Sequence, residues 1–422
     1  MTIEDNPIAV PNPNAFRAAN AVGRWIERCG FKLLEPDRRR LLAKAAKAAG
    51  HPYANSAMIE GLDRLIASIK TDAQLNLFGK FAFKRLLQRA ADGRFRVEKA
   101  IAQNPQILDE PIREPVFIIG MPRSGTTILQ AMLNLDAAHR SPLCWECMLP
   151  HPAPTPADYR DNERIDTVRK EFDGLLKLVP DFRKMHYIEA DSPQECFGVT
   201  LMNFTSFQFV AQAYLRSYSE WFLEAADQTE NLRWHRRFLQ FLQSGGLRSE
   251  RWLLKSPVHL MRLKALYAVY PDARIIVTHR HPAQVVPSLA SLLSTVRSVF
   301  SDHETMERSG REQLHLWARC FDRFLEDRKH IDRQGQMVDV LFDDFAADQM
   351  GVVRRIYDQF GWQLDAASAG RMEAFLRREP KDRHGKHEYS LDRIGVRPAE
   401  VETRYRGYLE FLNGLTEARG LA

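Results

Sequence analysis

The sequence predicts an α/β fold in which a doubly wound parallel sheet is flanked by helices and preceded by an N-terminal helical region. After residue 113, short apolar and β-branched runs alternate with helical stretches, as expected for strands that are covered on both faces. Before that point, apolar residues recur at helical spacing, and clusters of Val, Ile and Thr are rare. We therefore expect an extended Pro/Asn-rich arm at 1–15, helices over 16–112 and an α/β domain over 113–422.

The segment DEPIREP, at 109–115, separates the two regions because its prolines interrupt regular structure. The strand candidates lie after it, and they are VFIIG at 116–120, RWLLKSP at 251–257, ARIIVTHR at 273–280 and MVDVLFDDF at 337–345. Residues 160–250 are predicted to be mostly helical, and the part from about residue 350 is predicted to be helical and then to form a polar, basic loop, RREPKDRHGKHEYSLDRIGVRP.

The composition excludes several classes of protein. The chain has 422 residues, a formal charge of +6 and a mean hydropathy of −0.38, and no apolar run approaches the ~18 residues that span a bilayer. The charge is small for so long a chain, so nucleic acid is not an expected partner. The N-terminus lacks the basic start and apolar stretch of a signal peptide, so we expect a cytoplasmic protein whose cysteines are reduced. The sequence leaves the oligomeric state open.

The strongest local pattern is IIGMPRSGTTILQAML at 118–133, which is typical of a buried strand, a tight turn and a helix. A helix that begins after Gly125 presents unpaired N–H groups and the positive end of its dipole to an anion such as phosphate. Arg123 can neutralise charge on that anion. The turn is P-loop-like, but it lacks the lysine of a Walker A motif, which disfavours Mg²⁺-dependent ATP hydrolysis. Hydroxyls that can either cap the helix or donate to phosphate oxygens belong to Ser124, Thr126 and Thr127.

A second strand-to-helix corner repeats this layout at 273–288. Arg280 stands at the carboxyl end of the predicted strand, and Ser288 follows on the next helix. Since ligands of doubly wound sheets bind beyond the carboxyl ends of strands, this pair can hold a second phosphate of the same nucleotide. Alternatively, Arg280 is a surface arginine and Ser288 bonds to its own helix backbone. The flanking residues His279 and His281 are interpreted as packing or polar support.

Together, the PRSGTT loop and the R-x7-S spacing of Arg280 and Ser288 resemble the sulfotransferase family, over roughly residues 113–410. The stretches SPLCWECMLP and KHEYSLDRIGV are similar to a bacterial branch of that family. The resemblance implies a P-loop-like fold and the donor 3′-phosphoadenosine 5′-phosphosulfate (PAPS), with the loop on its 5′-phosphosulfate and the Arg–Ser pair on its 3′-phosphate. Arg123 stands where cytosolic members have lysine, as in tyrosylprotein sulfotransferases. The LLKSP stretch leaves open whether Lys255 faces the ligand or caps its strand.

The resemblance also implies an in-line transfer of the sulfuryl group to a hydroxyl or amine, assisted by a general base. Glu146 is the first candidate for the base, because it matches the catalytic glutamate of tyrosylprotein sulfotransferases if a short insertion is allowed. His186 is the second, since an unperturbed imidazole titrates near neutrality. Arg123 is the candidate that neutralises the leaving oxygen. Lys386 is expected either to reach the 3′-phosphate or to be solvated. No metal is required in principle, because cationic side chains suffice for a sulfuryl group.

The aromatic segment at 197–222 either belongs to the core or lines a pocket for a small-molecule acceptor with apolar bulk. Two other function classes remain open, namely a P-loop nucleotide kinase or NTPase, and a non-catalytic nucleotide-binding scaffold. A kinase would have a Walker lysine and an acidic residue at a strand end. The strand IIVT ends instead in His279 and Arg280, which argues against it. A scaffold would bind nucleotide without sulfating an acceptor.

Overall fold

The computed structural model describes residues 20–23, 29, 34–53, 55–178, 189–331, 335–378 and 390–420. The arm expected at 1–15 lies outside the described residues. The chain divides into two compact units. The first comprises Met1–Pro111, Pro142–Arg248 and Leu293–Glu304, and the second comprises Ile112–Ser141, Ser249–Leu292 and Thr305–Ala422. These units are defined by which residues pack together in space and not by continuous stretches of sequence. The domain boundaries that the sequence predicts stay a prediction.

The first unit is mainly helical in its described part, as the sequence predicts for these stretches. Its helix Ser56–Thr71 shows the reason, because Met58, Leu62 and Leu65 recur at helical spacing on one buried face. The Asn55 side chain caps this helix by accepting from the Met58 N–H. The helices are Arg38–Ala49, Ser56–Thr71, Leu77–Gln103, Cys144–Met148, Glu163–Leu178, Cys196–Thr200, Phe207–Gln212, Arg216–Glu224 and Gln228–Gln243, with 3₁₀ turns at Pro105–Asp109 and Leu201–Asn203.

The second unit contains a five-stranded parallel sheet in the order β2-β3-β1-β4-β5. The strands are β1 (Val116–Gly120), β2 (His139–Arg140), β3 (Arg251–Lys255), β4 (Arg274–His279) and β5 (Met337–Leu341). β1 is buried along its whole length, which explains its unbroken apolar sequence. The predicted fold class, a doubly wound parallel sheet, is confirmed. Two details differ from the prediction: β2 was not expected, and β5 ends at Leu341, where a helix begins.

Helices pack against this sheet through a continuous apolar core. Ile118 and Ile276 of the sheet belong to the same buried cluster as Leu129, Val353 and Ile356 of the helices. The helices are Thr126–Leu133, Leu263–Val269, Pro282–Ser298 (which begins in this unit), Met306–His330, Phe342–Ala347, Gln349–Phe360, Ala366–Arg378, Pro398–Arg404 and Arg406–Gly420, with 3₁₀ turns at Pro257–Arg262 and Asp392–Ile394.

All five strands run in the same direction, so their carboxyl ends share one edge of the sheet. The residues that follow Gly120, Lys255 and His279 therefore meet at this edge. Among the residues that the structure describes, no helix is both long and apolar enough to cross a bilayer.

Candidate active site

The first corner of the site, Gly120–Thr127, follows β1 in a turn that only particular residues permit. Gly120 has φ +144°, and a Cβ there would lie 2.5 Å from the Thr278 carbonyl oxygen and closer still to the Thr278 hydroxyl. Ser124 is 1% exposed, and its hydroxyl donates to the Met121 carbonyl oxygen at 2.6 Å while lying 2.6 Å from Thr278 Oγ1. The Ser124 hydroxyl is thus engaged inside the turn, which it holds against β4.

The helix Thr126–Leu133, here called the loop helix, begins at this turn as the sequence predicts. Gly125 precedes it with φ 87° and ψ 0°, a left-handed conformation that favours glycine. No side chain of the described residues caps its first turn, so the structure does not show the capping role, one of the two that the sequence left open for the serine and threonine hydroxyls. The first N–H groups of the loop helix are therefore left for an anion.

The second corner, His279–Ser288, contacts the first directly. An Arg280 guanidinium nitrogen donates to the Arg123 carbonyl oxygen at 2.7 Å, and Arg123 Nε donates to Ser288 Oγ at 3.2 Å. The Arg280 guanidinium also lies 3.9 Å from the ring centre of Phe342 and donates to Gln284 Oε1 at 3.1 Å. The structure thus brings together the two arginines and the serine that the two sequence patterns singled out.

A third cation, Lys255, joins these residues from the end of β3. Its ammonium donates to Thr127 Oγ1 at 3.1 Å, and the residue is only 3% exposed. The LLKSP pattern left its orientation open, and the structure directs it toward the loop helix. The side chains of Arg123, Lys255 and Arg280 thus form a cluster of three cations at the N-terminus of the loop helix. Such a cluster is suited to a ligand that carries several negative charges.

Of the proposed bases and the C-terminal lysine, the structure describes Glu146 alone. Glu146 belongs to the first unit, where it is fully buried on the short helix Cys144–Met148. Its Oε2 accepts a hydrogen bond from the Leu143 N–H at 2.8 Å, which closes half of a capping box. His186 and Lys386 lie outside the described residues.

Most of the aromatic segment 197–222 is core rather than pocket lining. Phe204, Phe209 and Tyr218 are fully buried, and the Tyr218 hydroxyl donates to the Phe204 carbonyl oxygen at 2.8 Å. Phe197 and Tyr214 are half-buried. The structure describes this whole segment, and its other aromatic side chains are buried. Phe197 and Tyr214 are therefore the aromatic residues of the segment that retain surface for an acceptor.

Comparison with known proteins agrees with this geometry. A sequence model of the sulfotransferase family matches residues 115–366, so the chain belongs to the sulfotransferase family. It is an enzyme that transfers a sulfuryl group, which decides among the function classes that the sequence left open.

Three similar proteins come from mycobacteria. The chain is 25% identical over 363 residues to the omega-hydroxy-beta-dihydromenaquinone-9 sulfotransferase Stf3 of Mycobacterium bovis, a match that covers 82% of this chain and 83% of that protein. Among solved structures, it is similar to the sulfotransferase STF1 from Mycobacterium tuberculosis, with 28% identity, a TM-score of 0.79 and coverage of 89% of this chain and 100% of the other. STF9 from Mycobacterium avium gives 28% identity, a TM-score of 0.80 and coverage of 90% and 97%.

Proposed function

We propose that the enzyme transfers the sulfuryl group of PAPS to a hydroxyl or amine of a small-molecule acceptor. The observation that carries this proposal is the direct contact of the two corners, from Arg280 to the Arg123 carbonyl oxygen and from Arg123 to Ser288. Donors for two phosphates thereby lie side by side, as a nucleotide phosphorylated on both its 3′ and 5′ oxygens requires. A nucleotide held at both ends is pre-oriented for in-line attack.

Each cation of the cluster has a separate part in this proposal. PAPS supplies the sulfuryl group and a phosphate leaving group. The free N–H groups of the loop helix, Thr127 and Lys255 bind the 5′ end, and Arg123 neutralises the charge that develops on the leaving oxygen. Arg280 and Ser288 bind the 3′-phosphate, with Lys386 as a further ligand. These side chains supply the positive charge that Mg²⁺ supplies in many phosphoryl transferases, so we propose a reaction that needs no metal.

A carboxylate or imidazole must accept the proton of the acceptor. Glu146 is the first candidate and His186 the second. The Glu146 carboxylate is fixed by its bond from Leu143 N–H, which favours a single orientation of the side chain.

The acceptor is proposed to be a small molecule with apolar bulk. Stf3, which is 25% identical, is named for a menaquinone derivative. The half-buried rings of Phe197 and Tyr214 offer apolar surface for such a molecule. We further propose that the enzyme acts in the cytoplasm.

Nucleotide binding tests the proposal most directly. The product adenosine 3′,5′-bisphosphate (PAP) and AMP differ only in the 3′-phosphate, so their affinities isolate the second corner. Arg280→Ala should weaken PAP roughly 10–150-fold, since a hydrogen bond to a charged group contributes about 1.5–3 kcal/mol. AMP binding should change little. Isothermal titration calorimetry measures both dissociation constants.

Arg274→Ala is the matched control for this experiment. Arg274 is the first residue of β4, and Arg280 directly follows the last. Arg274 therefore lies at the amino-terminal end of the strand, away from the site, where it pairs with Glu114. Its removal should leave the preference for PAP over AMP intact. An equal loss of PAP and AMP in Arg280→Ala would contradict the assignment of Arg280 to the 3′-phosphate.

A further inference from the structure

A chain of hydrogen bonds lies directly behind Arg280, in residues to which the proposed function assigns no role. His279, the last residue of β4, contacts Asp339 of β5 through Nε2 at 2.9 Å and the Tyr408 hydroxyl through Nδ1 at 3.2 Å. Asp339 is held from the other side by Arg328, whose two terminal nitrogens donate to its two carboxylate oxygens at 2.8 and 2.6 Å. His279 directly precedes Arg280 in the chain, so these bonds hold the backbone at the point where the second corner begins.

The charge on Asp339 sets the direction of its own hydrogen bonds. Burial raises the pKa of this carboxyl group, but the hydrogen bonds and charges of His279 and Arg328 outweigh burial and bring the pKa below its ordinary value. Asp339 is therefore ionised and only accepts. His279 therefore carries a proton on Nε2 and donates it to Asp339, and its Nδ1 lies 3.2 Å from the Tyr408 hydroxyl.

These groups are buried, so a hydrogen bond that is lost among them cannot be replaced by one to water. His279 and Tyr408 are each 1% exposed. The Tyr408 ring stacks on Phe321 with ring centres 3.6 Å apart, which fixes the position of its hydroxyl. A buried network whose members are all paired holds its backbone attachment points rigidly.

We propose that Tyr408, His279 and Asp339 are positioning residues for nucleotide binding, which fix the backbone of Arg280 so that its guanidinium stays beside the Arg123 turn. This inference rests on the proposed function, because it takes Arg280 to be the ligand of the 3′-phosphate. The three residues do not touch the nucleotide themselves. They act through the start of the second corner, and their removal should therefore affect the 3′-phosphate alone.

The chain provides a matched pair of variants for the test. Tyr408 and Tyr405 lie near each other in sequence and are both 1% exposed, but the Tyr405 hydroxyl has no hydrogen-bond partner among the described residues. Tyr408→Phe should lower the preference for PAP over AMP by roughly 3–10-fold, the effect of one lost hydrogen bond, with AMP affinity unchanged. Tyr405→Phe should keep the wild-type preference. Asp339→Asn, which retains the shape of the side chain, should shift the preference in the same direction as Tyr408→Phe.

Calorimetric titration of PAP and AMP, with melting temperatures recorded for every variant, distinguishes the outcomes. A lower melting temperature with an unchanged PAP-to-AMP preference in both Tyr408→Phe and Asp339→Asn would overturn the positioning role while leaving the proposed function intact. A wild-type enzyme that binds PAP and AMP equally would overturn the assignment of Arg280, and the positioning role with it. A reduced preference in folded Tyr408→Phe, absent in Tyr405→Phe, supports the proposal.

Discussion

Replacing Lys255 by methionine tests the electrostatics of the 5′ end of the proposed nucleotide site. The Lys255 ammonium lies 3.1 Å from Thr127 Oγ1, beside the start of the loop helix and away from bulk water. Methionine is a flexible unbranched side chain, so it replaces the lysine stem and removes the charge and the donors. A hydrogen bond to a charged group contributes about 1.5–3 kcal/mol, which corresponds to roughly 10–150-fold in affinity.

We therefore expect Lys255→Met to raise the Kd of PAP and to lower kcat/KM for PAPS, each by roughly 10–150-fold. Calorimetry and an assay of PAP release measure the two constants. Lys264→Met is the matched control, because the Lys264 side chain is 58% exposed and its surface ion pair with Asp327 contributes at most about 1 kcal/mol. If folded Lys255→Met kept both constants within about twofold of wild type, the ammonium would not act on the nucleotide and the reasoning would be wrong.

Two further substitutions test the turn and the base. Gly120→Ala places a Cβ 2.5 Å from the Thr278 carbonyl oxygen, and overpacking with backbone strain should lower the free energy of unfolding by about 2–6 kcal/mol. Urea denaturation checks this against Gly174→Ala, whose Cβ meets no atom within 4 Å and which should be neutral or slightly stabilising. Glu146→Gln keeps an oxygen that accepts from the Leu143 N–H, so PAP should bind normally while turnover falls roughly 10²–10⁴-fold. Unchanged turnover would assign the base to His186.

The sequence predicts the central strands well because their physical signal is local. β1, β3 and β4 are short apolar runs that end at a polar residue or a glycine, and burial on both faces requires that composition. β2 was missed because it consists of His139 and Arg140 alone. Neither residue has an intrinsic preference for a strand. Their extended conformation depends on pairing with Arg251 and Trp252, which are distant in sequence.

The same contrast applies to the site. The PRSGTT loop and the Arg280–Ser288 pair are recognisable from spacing, but nothing in the spacing relates Lys255 to Thr127. Their contact depends on β3 pairing with β1, which is a property of the whole sheet. The hydrogen bonds that link His279 to Asp339 and Tyr408 likewise join residues from separate elements. Sequence patterns therefore predict the candidate ligands that lie on one corner, and the fold is needed to find candidates that different strands contribute.

Strand order explains how one nucleotide can be held at both ends. β1 lies at the centre of the sheet, between β3 and β4, so the residues that follow these two strands flank the turn that follows β1. Lys255 reaches Thr127 from one side, and Arg280 reaches the Arg123 carbonyl oxygen from the other. Three positive charges supplied by distant parts of the chain become neighbours only through this parallel pairing. A chain that kept every motif but paired its strands in another order would retain the family resemblance and lose the proposed anion site.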